Sequence, residues 1–319
     1  MTDEERQRLR DNKAEVSEWL AAENLGRYEL KKCDPRLDAY VREVAAHPKA
    51  HNLWEQLAVR RFLGMCVKYQ LDAAKVRQFY ALYERLTFPG NAGPTTYRLT
   101  PVQCFQFAGT FGFWIGDKRV VKEVCWYVPR KYSKTTSTAA LAVHDLLFGE
   151  SNGEAYVGAN SFDQAKKCFN VIRKCVRRLD PHGKRYVVNE DQIKSLRADR
   201  DAFAQCLTAN ASTKDGLNAS IVIMDEFSQA ADSELLTVLT TSMGVRKNPL
   251  TVIITTASDK FEGPFYSMLQ GYKRVLLGEL EDDSLFAHLF EPDVDDDEAD
   301  PKTWRKVQPH MGVTVREDF

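Results

Sequence analysis

The pattern of apolar and polar positions changes character part-way along the chain. Up to residue 86 the apolar residues recur at helical spacing in four stretches, Glu4 to Ala22, Pro35 to Ala46, Leu53 to Tyr69 and Ala73 to Leu86. A Pro/Gly/Asn-rich stretch from Pro89 to Thr96 interrupts this pattern. Beyond it, short apolar runs alternate with helical segments. The runs predict strands at Arg119 to Val128, Glu154 to Val157, Arg185 to Asn189, Ala204 to Leu207, Ser220 to Met224 and Val252 to Thr255. Helices are expected at Thr136 to Phe148, Ser161 to Leu179, Asp232 to Ser242 and Gly263 to Leu276. Such alternation implies an α/β fold, a mostly parallel sheet flanked by helices over residues 96–319, with residues 1–95 as an N-terminal helical appendage. Ligands of such sheets sit at the carboxyl ends of the strands.

Two segments at predicted strand ends carry candidate chemistry. After the first strand, Val128-Pro129-Arg130-Lys131-Tyr132-Ser133-Lys134-Thr135-Thr136 leads into an Ala/Leu-rich helix. A strand, a loop ending Lys-Thr and a helix make a phosphate cradle: loop N–H groups and the helix N-terminus face the anion, Lys134 reaches the β/γ-phosphates and Thr135 meets Mg²⁺. Against the frame G-x-x-x-x-G-K-[ST], Val128 and Ser133 replace the two glycines. The second segment, Ile221-Val222-Ile223-Met224-Asp225-Glu226, is an apolar strand ending in two carboxylates. Asp225 suits the metal's coordination shell and Glu226 suits polarising a water, so the pair of motifs predicts a P-loop NTP hydrolase.

Composition narrows the class. The chain has 319 residues, 44% hydrophobic, enough for a sizeable core. No apolar run reaches the roughly 18 residues that span a bilayer, and the polar start Met1-Thr2-Asp3-Glu4-Glu5-Arg6 is not a secretory signal, which places the expected location in the cytoplasm with no membrane partner. The seven cysteines show no CxxC pairing and are expected as reduced core thiols. The formal net charge of −1 confines nucleic-acid binding to local stripes. One candidate stripe is Lys166, Lys167, Arg173, Lys174, Arg177 and Arg178 on an amphipathic helix, although a charge run alone favours a solvated helix face. The acidic run Asp293, Asp295, Asp296, Asp297, Glu298 and Asp300 reads as a solvated loop.

Two further segments have a suitable form. Gln103, on the helix starting at Pro101, has the paired donor and acceptor that an adenine edge requires. Thr255-Thr256-Ala257-Ser258 ends a buried strand in hydroxyls suited to sensing a γ-phosphate.

Taken in order, these motifs resemble the ATPase part of the large terminase subunit, the DNA-packaging motor of tailed bacteriophages. The resemblance runs from about Arg98 to Val315 and also takes in the segment from Val157 to Ala165, Asp215-Gly216-Leu217-Asn218 and Pro301-Lys302-Thr303-Trp304. It implies the ASCE/RecA-like version of the P-loop fold. An Arg/Lys-rich phosphate loop without its first Gly is typical of this family, whereas Ser133 departs from it.

The resemblance implies roles as well. Gln103 contacts adenine. Arg130, Lys131, Ser133, Lys134, Thr135 and Thr136 bind ATP, and Thr135 and Asp225 hold Mg²⁺. Glu226 activates water, Lys134 and Arg130 act at the transferred phosphoryl group, and Thr255, Thr256, Ala257 and Ser258 couple hydrolysis to movement. Related motors form rings, usually pentamers, on the procapsid portal, so the implied partners are double-stranded DNA, portal protein, the small terminase subunit and further copies of this chain, all in the host cytoplasm. A neighbour's cation is expected to act in trans. The family often places it just before the Gly corresponding to Gly216; Asp215 stands there, leaving Lys214 as the candidate and Arg246 as the alternative. Family members also carry a C-terminal nuclease, and the chain stops near where that domain is expected. The competing readings are a helicase-like DNA-dependent ATPase and a nucleotide-binding scaffold with little turnover.

Overall fold

The computed structural model describes residues 1–90, 92–159, 161–208, 216–258 and 262–316. In chain order the helices are α1 (Asp3–Ala22), α2 (Leu30–Cys33), α3 (Pro35–Ala46), α4 (Leu53–Tyr69), α5 (Ala73–Arg85), α6 (Pro101–Phe111), α7 (Lys134–Phe148), α8 (Phe162–Leu179), α9 (Glu234–Ser242), α10 (Pro264–Leu276) and α11 (Pro301–Val307). The strands are β1 (Phe88–Gly90), β2 (Gly93–Thr95), β3 (Trp114–Ile115), β4 (Lys118–Arg119), β5 (Glu123–Tyr127), β6 (Glu154–Ala159), β7 (Tyr186–Val188), β8 (Gln192–Ser195), β9 (Phe203–Thr208), β10 (Ile221–Asp225), β11 (Leu250–Thr255) and β12 (Leu285–Leu289).

Eight of these strands form one sheet in the order β12-β5-β11-β10-β6-β9-β8-β7. The six from β12 to β9 run parallel, and the β7–β8 hairpin adds an antiparallel edge. The central strands are apolar because both faces are covered: every residue of β11 is buried, as are the first four of β10. Helices α7 and α8 pack on each other and over β6 and β9, while α9 lies on β6 and β10. Among the described residues, no helix is long and apolar enough to cross a membrane.

The predicted strand Arg119 to Val128 divides in two. Gly116, at φ 59°, turns β3 back onto β4, and the chain then bends so that Lys122 N and Glu123 N both donate to Ser284 O before β5 begins. Strands β8 and β12 carry no expectation from the sequence. The second of these lies at the sheet edge beside β5 and packs on α6, where Gly109 leaves room for Phe286; a Cβ at Gly109 would sit 2.3 Å from that ring.

The N-terminal helices share the core of the sheet. Val16, Leu37, Leu57, Phe62 and Phe79 belong to the same buried cluster as Val124, Ile223 and Ile253, and α4 rests directly on β12. The acidic run is solvated at Asp297 and Glu298, but its first half forms a clasp. Asp293 pairs with Lys13 and with Lys306 (3.0 Å) and accepts from Leu53 N at the start of α4, while Asp295 takes a forked bond from Arg10 at 2.6–3.0 Å. Lys306 also pairs with Asp296. Helix α1 is thus pinned to the segment after β12. All seven cysteines are free thiols, six of them buried.

Candidate active site

The sheet order brings the two sequence motifs together. Strand β11 lies between β5 and β10, so the phosphate loop leaving β5 and the carboxylates leaving β10 both face the end of β11. Val128 N donates to Thr255 O at 3.0 Å, anchoring the loop at its root.

The loop runs from Val128 to Ser133, and α7 starts at Lys134. Lys131 and Ser133 both occupy the left-handed region, at φ 66° and 65°. That conformation explains why the frame asks for glycine at the second position, and Ser133 adopts it with its Cβ in place. Among the described residues no side chain caps the N-terminus of α7, which leaves its first-turn N–H groups available to an anion. Tyr132 points the other way, fully buried, and its hydroxyl donates to Gln106 Oε1 at 2.9 Å. Thr136 Oγ1 donates to Ser133 O at 2.8 Å, and Thr135 is exposed on the first turn of the helix.

Glu226 receives Lys134 and Thr256. Lys134 Nζ lies 2.8 Å from Oε1, while Thr256 approaches Oε2 with its hydroxyl at 2.9 Å and its N–H at 3.3 Å. Burial pushes the Glu226 carboxyl up, but Lys134 and Thr256 outweigh it, so the group is held below the usual carboxylate range. It is therefore a carboxylate at neutral pH. Glu226 itself sits in the left-handed region at φ 54°, a strained conformation that turns the chain sharply off β10 and back to Ile254 O through its own N–H. Thr255 acts differently, accepting from Ser228 N at 2.9 Å and tying β11 to the turn after β10.

Asp225 is in a different environment. One of its carboxylate oxygens is buried without a hydrogen-bond partner, and burial, with Glu226 next to it, raises its pKa to about 6. An unpaired carboxylate oxygen in such a place carries a desolvation cost that a hard divalent cation offsets. The donor chemistry fits a hard divalent cation such as Mg²⁺, which Asp225 and the Thr135 hydroxyl would hold.

Gln103 is buried, and its amide carbonyl is already engaged by Thr100 N and Oγ1, both at 3.1 Å, in the capping box of α6. Its Nε2 is buried and has the Tyr83 hydroxyl as a hydrogen-bonding neighbour for one of its two N–H groups. One amide donor, rather than the donor and acceptor pair, is therefore left for a base. Arg130 and Lys131 are exposed. Gln229 Nε2 donates to Ser258 Oγ at 2.8 Å, while Ala257 lines a cavity of about 740 Å³ bounded also by α1 and α4.

Arg246 does not serve as a cation offered to a neighbour. Its side chain is only 2% exposed, and its guanidinium is spent on Asn218 O (2.8 Å), Asn152 Oδ1 (2.9 Å), Asn152 O (2.9 Å) and Glu150 (3.3 Å), at the amino-terminal ends of β6 and β10. Lys214 lies outside the described residues.

The chain matches the family described as "Terminase large subunit, ATPase domain" over residues 101–274, more than half its length. This chain belongs to that family. The matched part of this terminase chain contains Gln103, the phosphate loop, Asp225, Glu226 and the end of β11. Its fold is similar to that of the large terminase of bacteriophage HK97, with a TM-score of 0.65 and 22% identity over 76% of this chain and 50% of that one. It is also 35% identical over 105 residues to Protein YmfN of Escherichia coli (strain K12), covering 33% of this chain and 23% of that protein. The chain thus spans half the length of the solved terminase and under a quarter of the curated relative.

Other residues at this site escaped sequence reasoning. Thr100, Tyr132, Gln308, His310 and Thr314 all touch the phosphate loop or the Gln103 cap. Two signals were in the sequence: Tyr132, a large aromatic residue in an otherwise polar loop, and the T-x-x-Q spacing of Thr100 and Gln103.

Proposed function

We propose that this chain binds ATP with Mg²⁺ and hydrolyses it to drive double-stranded viral DNA into a procapsid, as the ATPase part of a terminase large subunit. The observation that carries this reading is the meeting of Lys134, Glu226 and Thr256 at the ends of three adjacent strands, beside an uncapped helix N-terminus. Phosphoryl transfer needs little covalent chemistry from the protein; it needs positioned positive charge and an oriented water.

In this reading, Gln103 Nε2 addresses the adenine ring, and Lys134 leaves Glu226 for the β/γ-phosphates. Mg²⁺, held by Thr135 and Asp225, neutralises phosphate charge when bound. Glu226, kept ionised by its surroundings, accepts the proton of the attacking water. Arg130 reaches the γ-phosphate from the same chain, and Lys131, Ser133 and Thr136 shape the cradle. Because Thr256 contacts Glu226 directly, loss of the γ-phosphate is felt at once by β11, and Thr255 to Ser258 carry the change outward. Assembly on a portal as a homo-oligomeric ring, with a small terminase subunit and with Lys214 serving the neighbouring site in trans, completes the proposal, in the cytoplasm of an infected host.

ATP turnover measured against protein concentration, with and without duplex DNA, tests it. A neighbour's cation is worth roughly 10³–10⁵-fold in systems that use one, so specific activity should rise with concentration or on DNA. Fast turnover by a demonstrated monomer, unaffected by DNA, would refute the trans-acting part. Absence of any ATP binding would refute the whole.

A further inference from the structure

The segment Gln308–Val315 follows α11 and lies against the outer side of the phosphate loop. It is folded on itself: His310 O accepts from the N–H groups of Val313, Thr314 and Val315 at 3.0–3.2 Å, and Gly312, at φ 77°, makes the turn. From this knot three side chains reach the loop. Gln308 Nε2 donates to Arg130 O at 2.9 Å, Thr314 Oγ1 donates to Lys131 O, and the His310 ring stacks on Tyr132 at 4.3 Å between centroids and 24° between planes.

A loop that turns its N–H groups towards an anion must turn its carbonyls away, and those carbonyls then need donors of their own. Gln308 and Thr314 supply them at two consecutive peptides, flanking Lys131 with its left-handed backbone. His310 also reaches the other end of the site. It is 1% exposed, and its Nε2 lies 3.0 Å from Thr100 Oγ1, the hydroxyl that caps α6 and holds the Gln103 carbonyl. Thr100 has a single hydroxyl proton; given to Gln103, it leaves the His310 Nε2–H as donor to Thr100.

We propose that Gln308, His310 and Thr314 are positioning residues that hold the phosphate loop in its anion-binding conformation and tie it to the Gln103 cap. The proposal rests on the reading of this loop as a nucleotide site. None of the three touches the nucleotide; each acts through the loop backbone, Tyr132 or Thr100. The segment preorganises the cradle, so the ordering of the loop does not have to accompany binding.

The test is titration of the full chain with a fluorescent ADP, alongside thermal unfolding without nucleotide. Gln308 and Thr314 lie at the surface, so Gln308→Ala and Thr314→Val should fold with little change in unfolding midpoint. Each should weaken ADP binding about five- to tenfold, the worth of one net hydrogen bond. The pair together should weaken it further, and KM for ATP should rise by a larger factor than kcat falls. For His310, Phe keeps the stack and Gln keeps a donor to Thr100; each should bind ADP more tightly than His310→Ala. Surface variants that bind ADP as the wild type does, while Lys134→Ala does not bind, would overturn the proposal and leave the nucleotide site standing. A wild-type chain that binds no nucleotide would overturn both.

Discussion

Lys134 and Glu226 are paired at 2.8 Å across the ends of two strands that are not neighbours in the sheet. The pair joins the lysine proposed to bind phosphate to the carboxylate proposed as general base, so in that proposal the phosphates of an incoming nucleotide compete with Glu226 for Lys134. Both side chains are partly shielded, at 11% and 28% exposure, so the competition takes place at reduced dielectric.

Replacing Glu226 by Gln should therefore do two things. ATP should bind at least as tightly as to the wild type, since the competing charge is gone, while steady-state hydrolysis should fall about 10²–10⁴-fold with the loss of the base. Lys134→Ala should lose binding and turnover together. Calorimetric titration and a phosphate-release assay on the two variants check both; a Glu226→Gln variant that keeps most of its turnover would assign the base elsewhere.

Ser133 sits at φ 65°, where a side chain costs about 1–2 kcal/mol that glycine does not. Ser133→Gly also frees the unfolded chain, which returns about 0.4–1 kcal/mol of that gain. Folding stability should thus rise by about 0–1.6 kcal/mol in urea titrations, with ATP binding unchanged or tighter. Ser133→Val, β-branched and ill suited to this region, should weaken binding. Weaker binding in the Gly variant would show that the serine side chain helps the site.

His144 and His288 are buried, and burial lowers each pKa to about 3. In the unfolded chain both titrate near about 6.5. Their folded values are depressed, so the contribution is fully present above about pH 6.5 and is lost as pH falls towards 3, at up to about 1.4 kcal/mol per pH unit for each. Asp225, raised to about 6, works in the opposite direction. Comparing variants isolates one group: between pH 7 and 5, His288→Gln should lose less stability than the wild type. Parallel curves would mean that His288 takes up a proton in the folded state more easily than its burial implies.

Asp293 joins α1, α4 and α11 through Lys13, Leu53 N and Lys306. Its side chain is 10% exposed, so removal strands charges as well as a helix cap. Asp293→Ala should cost about 1–3 kcal/mol and open the connection after α1 to limited proteolysis. Added salt should reproduce part of the effect in the wild type through the exposed Arg10–Asp295 pair. An unchanged digestion pattern would show that the remaining contacts of α1, Val16 and Leu20 in the core and the Arg10–Asp295 pair among them, secure the helix.

The sequence by itself determined the long helices and the central strands of the sheet. Helices α3 and α4 begin and end where the apolar spacing says, because a local period of 3.6 residues is written directly in the chain. The parallel sheet followed from strands that are apolar on both faces, and the phosphate loop and the Asp225-Glu226 strand end were legible because each is contiguous. Whatever depends on pairing between distant segments was decided only by the tertiary structure. The short strand β12 became sheet because β5 had a free edge and Gly109 admitted Phe286. The order β5-β11-β10 placed Thr256 against Glu226, although the chain meets those strands in the order β5, β10, β11. Arg246 was an open candidate until burial committed its guanidinium within the chain. The donors that Gln308 and Thr314 supply to the phosphate loop come from about 180 residues away, 178 for Gln308 and 183 for Thr314, a separation that no local pattern can report.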